Sequence, residues 1–246
     1  MSFWLNVTLH QCFSSLQKAK QLGEKIGDSL VVGYASTWLS WVCGEMGSFT
    51  EGVENGQEAH RIAQDIKTNP YLHFKSLAGI GDNYFWSGKA ADSQSIVESL
   101  FDYGNRYGDT RCLVLAYQNE GFMYTSAGNL PEAIRVLKKG VDVSVDPFYN
   151  FAALMPLCFA YIQADRMKDA EIIYLSISRF CSDAGCAYLK SSVDMFSALI
   201  KISNGELSKG MKQLFVATNA AKSIGYNGSL TLHFYIIAKV YMEIVK

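Results

Sequence analysis

The chain has 246 residues and a net charge of −1, and its 22 basic and 23 acidic side chains are spread without a basic stripe, which argues against nucleic acid or an anionic membrane as a partner. Hydrophobic residues make up 49%, enough for a continuous core, and four prolines are few enough for an all-helical fold. The longest apolar run, residues 151–162, is too short to span a bilayer, and no secretory signal is recognisable, so a cytoplasmic location is expected.

In chain order, residues 12–28 read as a helix ending at Gly27-Asp28, the second half of a unit whose first helix is nearly missing. A phrase then recurs: Gly47-Ser48-Phe49-Thr50-Glu51-Gly52, Gly88-Lys89-Ala90-Ala91-Asp92-Ser93 and Gly128-Asn129-Leu130-Pro131-Glu132-Ala133. It returns as Asp165-Arg166-Met167-Lys168-Asp169-Ala170 and Gly205-Glu206-Leu207-Ser208-Lys209-Gly210. The starts at 47, 88, 128, 165 and 205 are 41, 40, 37 and 40 residues apart, and a fixed period of that size marks a solenoid.

Within each unit an apolar helix, such as residues 113–124, is broken by Gly or Asp. A polar residue follows that can cap the next helix, and Asn129 is the clearest such candidate. The second helix carries an apolar stripe, as in Ala133, Ile134, Val136, Leu137 and Val141, and many second helices close on a small-plus-acidic signal such as Gly108-Asp109. Residues 1–246 therefore read as one all-α array of antiparallel helix pairs. Phasing the period outward puts turns near residues 7 and 245, so both end helices are expected to be exposed and the chain to be a fragment of a longer array.

The pattern resembles the tetratricopeptide repeat family along essentially the whole chain. First-helix positions of that family fall on Leu77, Ile80, Gly81 and Tyr84, on Leu154, Leu157, Cys158 and Tyr161, and on Phe234, Ile237, Ala238 and Tyr241. Gly52 and Gly56 stand where the family has Ala and an aromatic, and a period near 40 exceeds its ~34. Repeats of this length resemble those of multidomain bacterial signalling proteins, such as some nucleotide cyclases and maltose-regulator-like activators. The resemblance implies a right-handed superhelical solenoid whose first helices line a concave surface.

On that surface the phase places Tyr34, Trp41 and Glu45 from the first unit, and Lys75, Asp82, Phe85 and Trp86 from the second. Gln118, Phe122, Met155 and Phe159 follow from the next two. Aromatic and Met anchors suit a peptide groove, although such stripes are also what a tightly packed array of helices requires. The carboxylate clamp of some family members has only Lys75 in place here. Pro156, inside a first helix, is expected to kink it.

Six cysteines (12, 43, 112, 158, 181 and 186) sit mostly in apolar stretches without metal-binding spacing, and the four histidines are expected at scattered surface or cap positions. No catalytic cluster, metal site or cofactor motif emerges. The sequence therefore points to a non-enzymatic interaction scaffold or regulatory arm of a cytoplasmic signalling protein. Its partner would be a protein, a peptide, flanking domains of its own parent chain, or a second copy joined through the end helices. The alternative is a small-molecule effector domain with an aromatic-lined cavity, which an enclosed chamber would favour over an open groove.

Overall fold

A computed structural model describes residues 8–185 and 189–244, and among them there are twelve helices and no strand. The helices are α1 (Leu9–Ile26), α2 (Ser29–Met46), α3 (Phe49–Ile66), α4 (Pro70–Trp86), α5 (Ala90–Tyr107) and α6 (Thr110–Ser126). They continue as α7 (Leu130–Val143), α8 (Pro147–Gln163), α9 (Met167–Ala184), α10 (Lys190–Ser203), α11 (Leu207–Ser223) and α12 (Asn227–Ile244). Each helix packs on its neighbours in sequence, and even-numbered helices also touch one another, so the even helices form an inner layer and the odd helices an outer one. This is a helical solenoid.

The recurring phrase is the turn from inner to outer helix. Its first residue lies in the left-handed region, at φ +83°, +81°, +74° and +84° for Gly47, Gly88, Gly128 and Gly205. Asp165 holds the same place at φ +56°, a conformation that Asp tolerates better than most side chains. The next N–H reaches back over the turn, Ser48 to the Cys43 carbonyl, Lys89 to Tyr84, Asn129 to Tyr124, Arg166 to Tyr161 and Glu206 to Lys201, at 2.8–2.9 Å. These backbone bonds satisfy the orphan carbonyls of the inner helix.

Side-chain capping is found at the other turn. Asp28, Asn69, Asp109 and Asp146 cap the inner helices α2, α4, α6 and α8 by accepting from backbone N–H groups. Asn129 occupies the N-cap position just before α7 yet makes no side-chain cap bond, contrary to expectation. The Schellman-type backbone turn already fixes the chain there.

The last residue of the phrase is always small, because the outer helix crosses the inner layer at that point. Ser93, Ala133 and Ala170 are fully buried, and a Cβ on Gly52 would lie 2.2 Å from Asn83 Oδ1. Asn83 cannot give way, since its Nδ2 donates to the Ser40 carbonyl at 3.0 Å and the Gly79 carbonyl at 2.7 Å. That is the physical reason for Gly52 where the family pattern has Ala; at Gly56 a Cβ would meet Ile80 Cγ1 at 2.6 Å.

The solenoid closes on itself. Helix α12 packs against α2, so tightly that a Cβ on Gly228 would lie 2.5 Å from the Gly44 carbonyl oxygen, and the α11–α12 turn at Gly225 abuts His10. The expected open groove is therefore replaced by a chamber inside a ring of inner helices. The end helices still expose apolar side chains, Leu22 and Ile26 on α1 and Phe234, Tyr235 and Met242 on α12. Cys12, Cys43, Cys112, Cys158 and Cys181 are buried, and Cys186 lies outside the described residues. Among the described residues no helix is long and apolar enough to cross a membrane.

Candidate functional site

All six inner helices contribute to the chamber, which has a volume of about 180 Å³. One wall is polar and comes from α2, α4 and α6. Lys75 and Asp82, seven residues apart on α4, project from the same face of the helix, as do Trp38, Trp41 and Glu45 at spacings of three and four on α2. Lys75 is only 3% exposed. Its Nζ lies 4.0 Å from the centre of the Trp41 ring, 5.3 Å from Trp38 and 5.6 Å from Tyr149, an aromatic cage that favours a cation. The Trp41 indole N–H donates to the Lys75 carbonyl at 3.2 Å and holds that ring in place.

Burial works against the charge on both residues. It lowers Lys75 to about 7, with Asp82 opposing the shift. It raises Asp82 to about 7, while Lys75 and the Trp86 indole N–H pull the other way. No ion pair joins the two side chains, and Asp82 Oδ1 has no hydrogen-bond partner. Gln118 Oε1, on α6, is likewise buried without a partner. Tyr226 closes this end; burial and then the nearby Glu45 raise its phenol well above the ordinary value, with Ser192 opposing the shift.

The opposite wall is apolar. Met155 and Phe159 of α8 face Phe196 of α10, with the Phe159 and Phe196 rings stacked at 6.5 Å, and Leu232 of α12 completes it. Helix α8 continues through Pro156, which lines the chamber beside Ala152. Because proline has no N–H, the Ala152 carbonyl lacks its usual helical donor at that position.

His233 also lines the chamber and is fully buried, not at a surface or cap position as expected. Thr218 Oγ1 donates to the Leu214 carbonyl at 2.8 Å and lies 3.1 Å from His233 Nδ1. With its proton so used, Thr218 accepts from Nδ1–H, which leaves His233 Nε2 as an unpartnered acceptor. Burial lowers this imidazole to about 4, so it is neutral at pH 7. His60 and His73 depart from the scattered pattern too, with ring centres 4.8 Å apart and His73 stacked on Tyr103 at 4.4 Å. Among the described residues no group of three or more His, Cys, Asp or Glu side chains is placed to hold a metal ion.

Of the side chains assigned to a concave surface from the repeat phase, Trp41, Glu45, Lys75, Asp82 and Trp86 line the chamber. So do Gln118, Phe122, Met155 and Phe159. Tyr34 does not; its hydroxyl accepts from Asn69 Nδ2 at 2.9 Å, at the α4 N-terminus. Phe85 lies one layer out, stacked on Phe122 at 5.8 Å. Both are displaced because a helix turns 100° per residue, so a small phase error moves a side chain from lining to packing. Trp38 and Tyr149 were missed although they lie on inner helices, Trp38 one turn before Trp41. Tyr226 and His233 were missed because they reach the chamber only through ring closure. Comparison with known proteins finds no family model that matches the chain and no curated protein that matches it.

Proposed function

We propose that this chain is a non-enzymatic, small-molecule-binding effector domain, built as a tetratricopeptide-like array and acting as a sensor arm of a larger signalling protein. The observation that carries this reading is the chamber inside the ring, with Lys75, Asp82, Gln118 and His233 turned into it and lacking direct hydrogen-bonded partners for the atoms named above. Buried polar groups of that kind are costly unless something satisfies them, and a ligand does so. Ring closure supplies the means of signalling, since a ligand touching several inner helices couples the α12–α2 contact to occupancy.

The test is a thermal-shift and tryptophan-fluorescence screen of the purified chain with small metabolites and simple aromatic compounds. Binding that raises the melting midpoint and changes emission from the chamber tryptophans supports the reading; no binder across the set overturns it. A protein-partner role is favoured by a separate observation, the exposed Ile172 and Leu175 on α9 and Phe215 and Val216 on α11. Light scattering over a concentration series tests whether such faces join two copies.

A further inference from the structure

We infer that the chamber ligand is a zwitterion, an α-amino acid with an apolar side chain, held by its carboxylate on Lys75 and by its ammonium group on Asp82 and Gln118. This rests on the ligand-chamber reading and adds the chemistry of the ligand.

The argument begins with what each side chain lacks. Lys75 Nζ is surrounded by the faces of Trp38, Trp41 and Tyr149, and among the described residues no acceptor bonds to it. Asp82 Oδ1 and Gln118 Oε1 are buried acceptors with no donor. All three side chains line the same chamber. A ligand bearing only a carboxylate would satisfy Lys75, leave both acceptors unpaired and add a second anion beside Asp82. A ligand bearing only an amine would satisfy the acceptors and oppose the Lys75 charge. A neutral apolar ligand would leave every polar atom as it is. Only a molecule with both groups satisfies both ends, and breaking a buried charged contact is more costly than any exposed one.

Geometry leaves room for it. Lys75 and Asp82 form no direct ion pair, and their backbones are two turns apart, about 10 Å along the helix. The adjoining wall of Met155, Phe159, Phe196 and Leu232 receives an apolar body. A chamber of about 180 Å³ is close to the ~150 Å³ cavity that accepts a benzene molecule. That is room for one ring or a branched aliphatic chain, and too little for a nucleotide or a peptide.

The experiment is calorimetry at pH 7 on the full chain with four probes: L-phenylalanine, 3-phenylpropanoate, 2-phenylethylamine and benzene. L-Phenylalanine is expected to bind about tenfold or more tighter than either singly charged probe. Lys75→Met should abolish its advantage over 2-phenylethylamine, and Asp82→Asn its advantage over 3-phenylpropanoate. The wild-type comparison stands even if either variant fails to fold. If a singly charged probe or benzene binds as tightly as L-phenylalanine, the zwitterion assignment is overturned while the ligand chamber remains. If none of the four binds, both fall.

Discussion

The inner and outer helices of each repeat share one sequence period but carry different burdens. The outer helix α7 has a single apolar stripe, with Ala133, Ile134, Val136 and Leu137 buried and the opposite face in water. The inner helix α4 is enclosed on nearly every side, burying Phe74, Leu77, Ala78 and Ile80 together with the polar Lys75, Ser76 and Asn83. An outer helix meets water on one face, so polar residues there cost little. An inner helix meets only protein and the chamber, so each polar residue must find a partner or be compensated by something bound. The unusual chemistry of this protein is therefore concentrated on the inner layer.

Substitutions sharpen that contrast, beginning with the core. Phe74→Ala, at a fully buried position, should cost about 3–5 kcal/mol in urea unfolding. Leu175→Ala on the exposed face of α9, 61% accessible, should change stability by less than about 0.5 kcal/mol. Equal costs would end the distinction between the layers.

Ring closure comes next. Gly228→Ala places a methyl group against the Gly44 carbonyl oxygen and should cost about 1–3 kcal/mol, because backbone must shift to admit it. The same variant should enlarge the radius measured by small-angle scattering; an unchanged radius and stability would mean that α12 docks on α2 without close packing.

A pH series then isolates the chamber. Lys75 has a folded value of about 7, below its unfolded 10.5, so between the two the unfolded chain holds the extra proton. Its contribution therefore makes stability rise with pH across that window. Asp82 acts in a lower window: its folded value of about 7 exceeds its unfolded 3.8, so its contribution falls as pH rises between them. His73 and His233, both lowered to about 4, oppose Asp82 below pH 6.5. The readable interval is thus pH 7–9, where stability of the wild type should rise relative to Lys75→Met. Parallel profiles would show that Lys75 titrates as in water.

The smallest effect belongs to the surface. Lys209→Ala removes an exposed pair with Glu206 at 2.8 Å and should leave the melting midpoint unchanged.

Much of this organisation is legible along the chain. The recurring phrase marks five turns, because a left-handed residue and a small crossing residue are local demands that each unit must meet. The inner helices betray themselves as apolar nearly all round, and Trp41, Lys75, Asp82 and Gln118 fall on the lining face from phase alone. What could not be read is which lining residues meet. The Lys75 cage needs Tyr149, from a helix two repeats on, and the unpaired state of Gln118 depends on what the facing helices withhold.

By itself the sequence determined the helix pairs, their turns and the layer to which each helix belongs, since these follow from backbone conformation and periodicity within about forty residues. Tertiary structure alone decided that the array closes. The curvature of a solenoid is the sum of small rotations at every helix crossing. Those rotations depend on contacts between units, Gly52 against Asn83 of the next repeat and Gly228 against Gly44 across the closed ring, which no single repeat encodes. Closure turned a concave face into a chamber, and a row of inner-helix side chains into its wall.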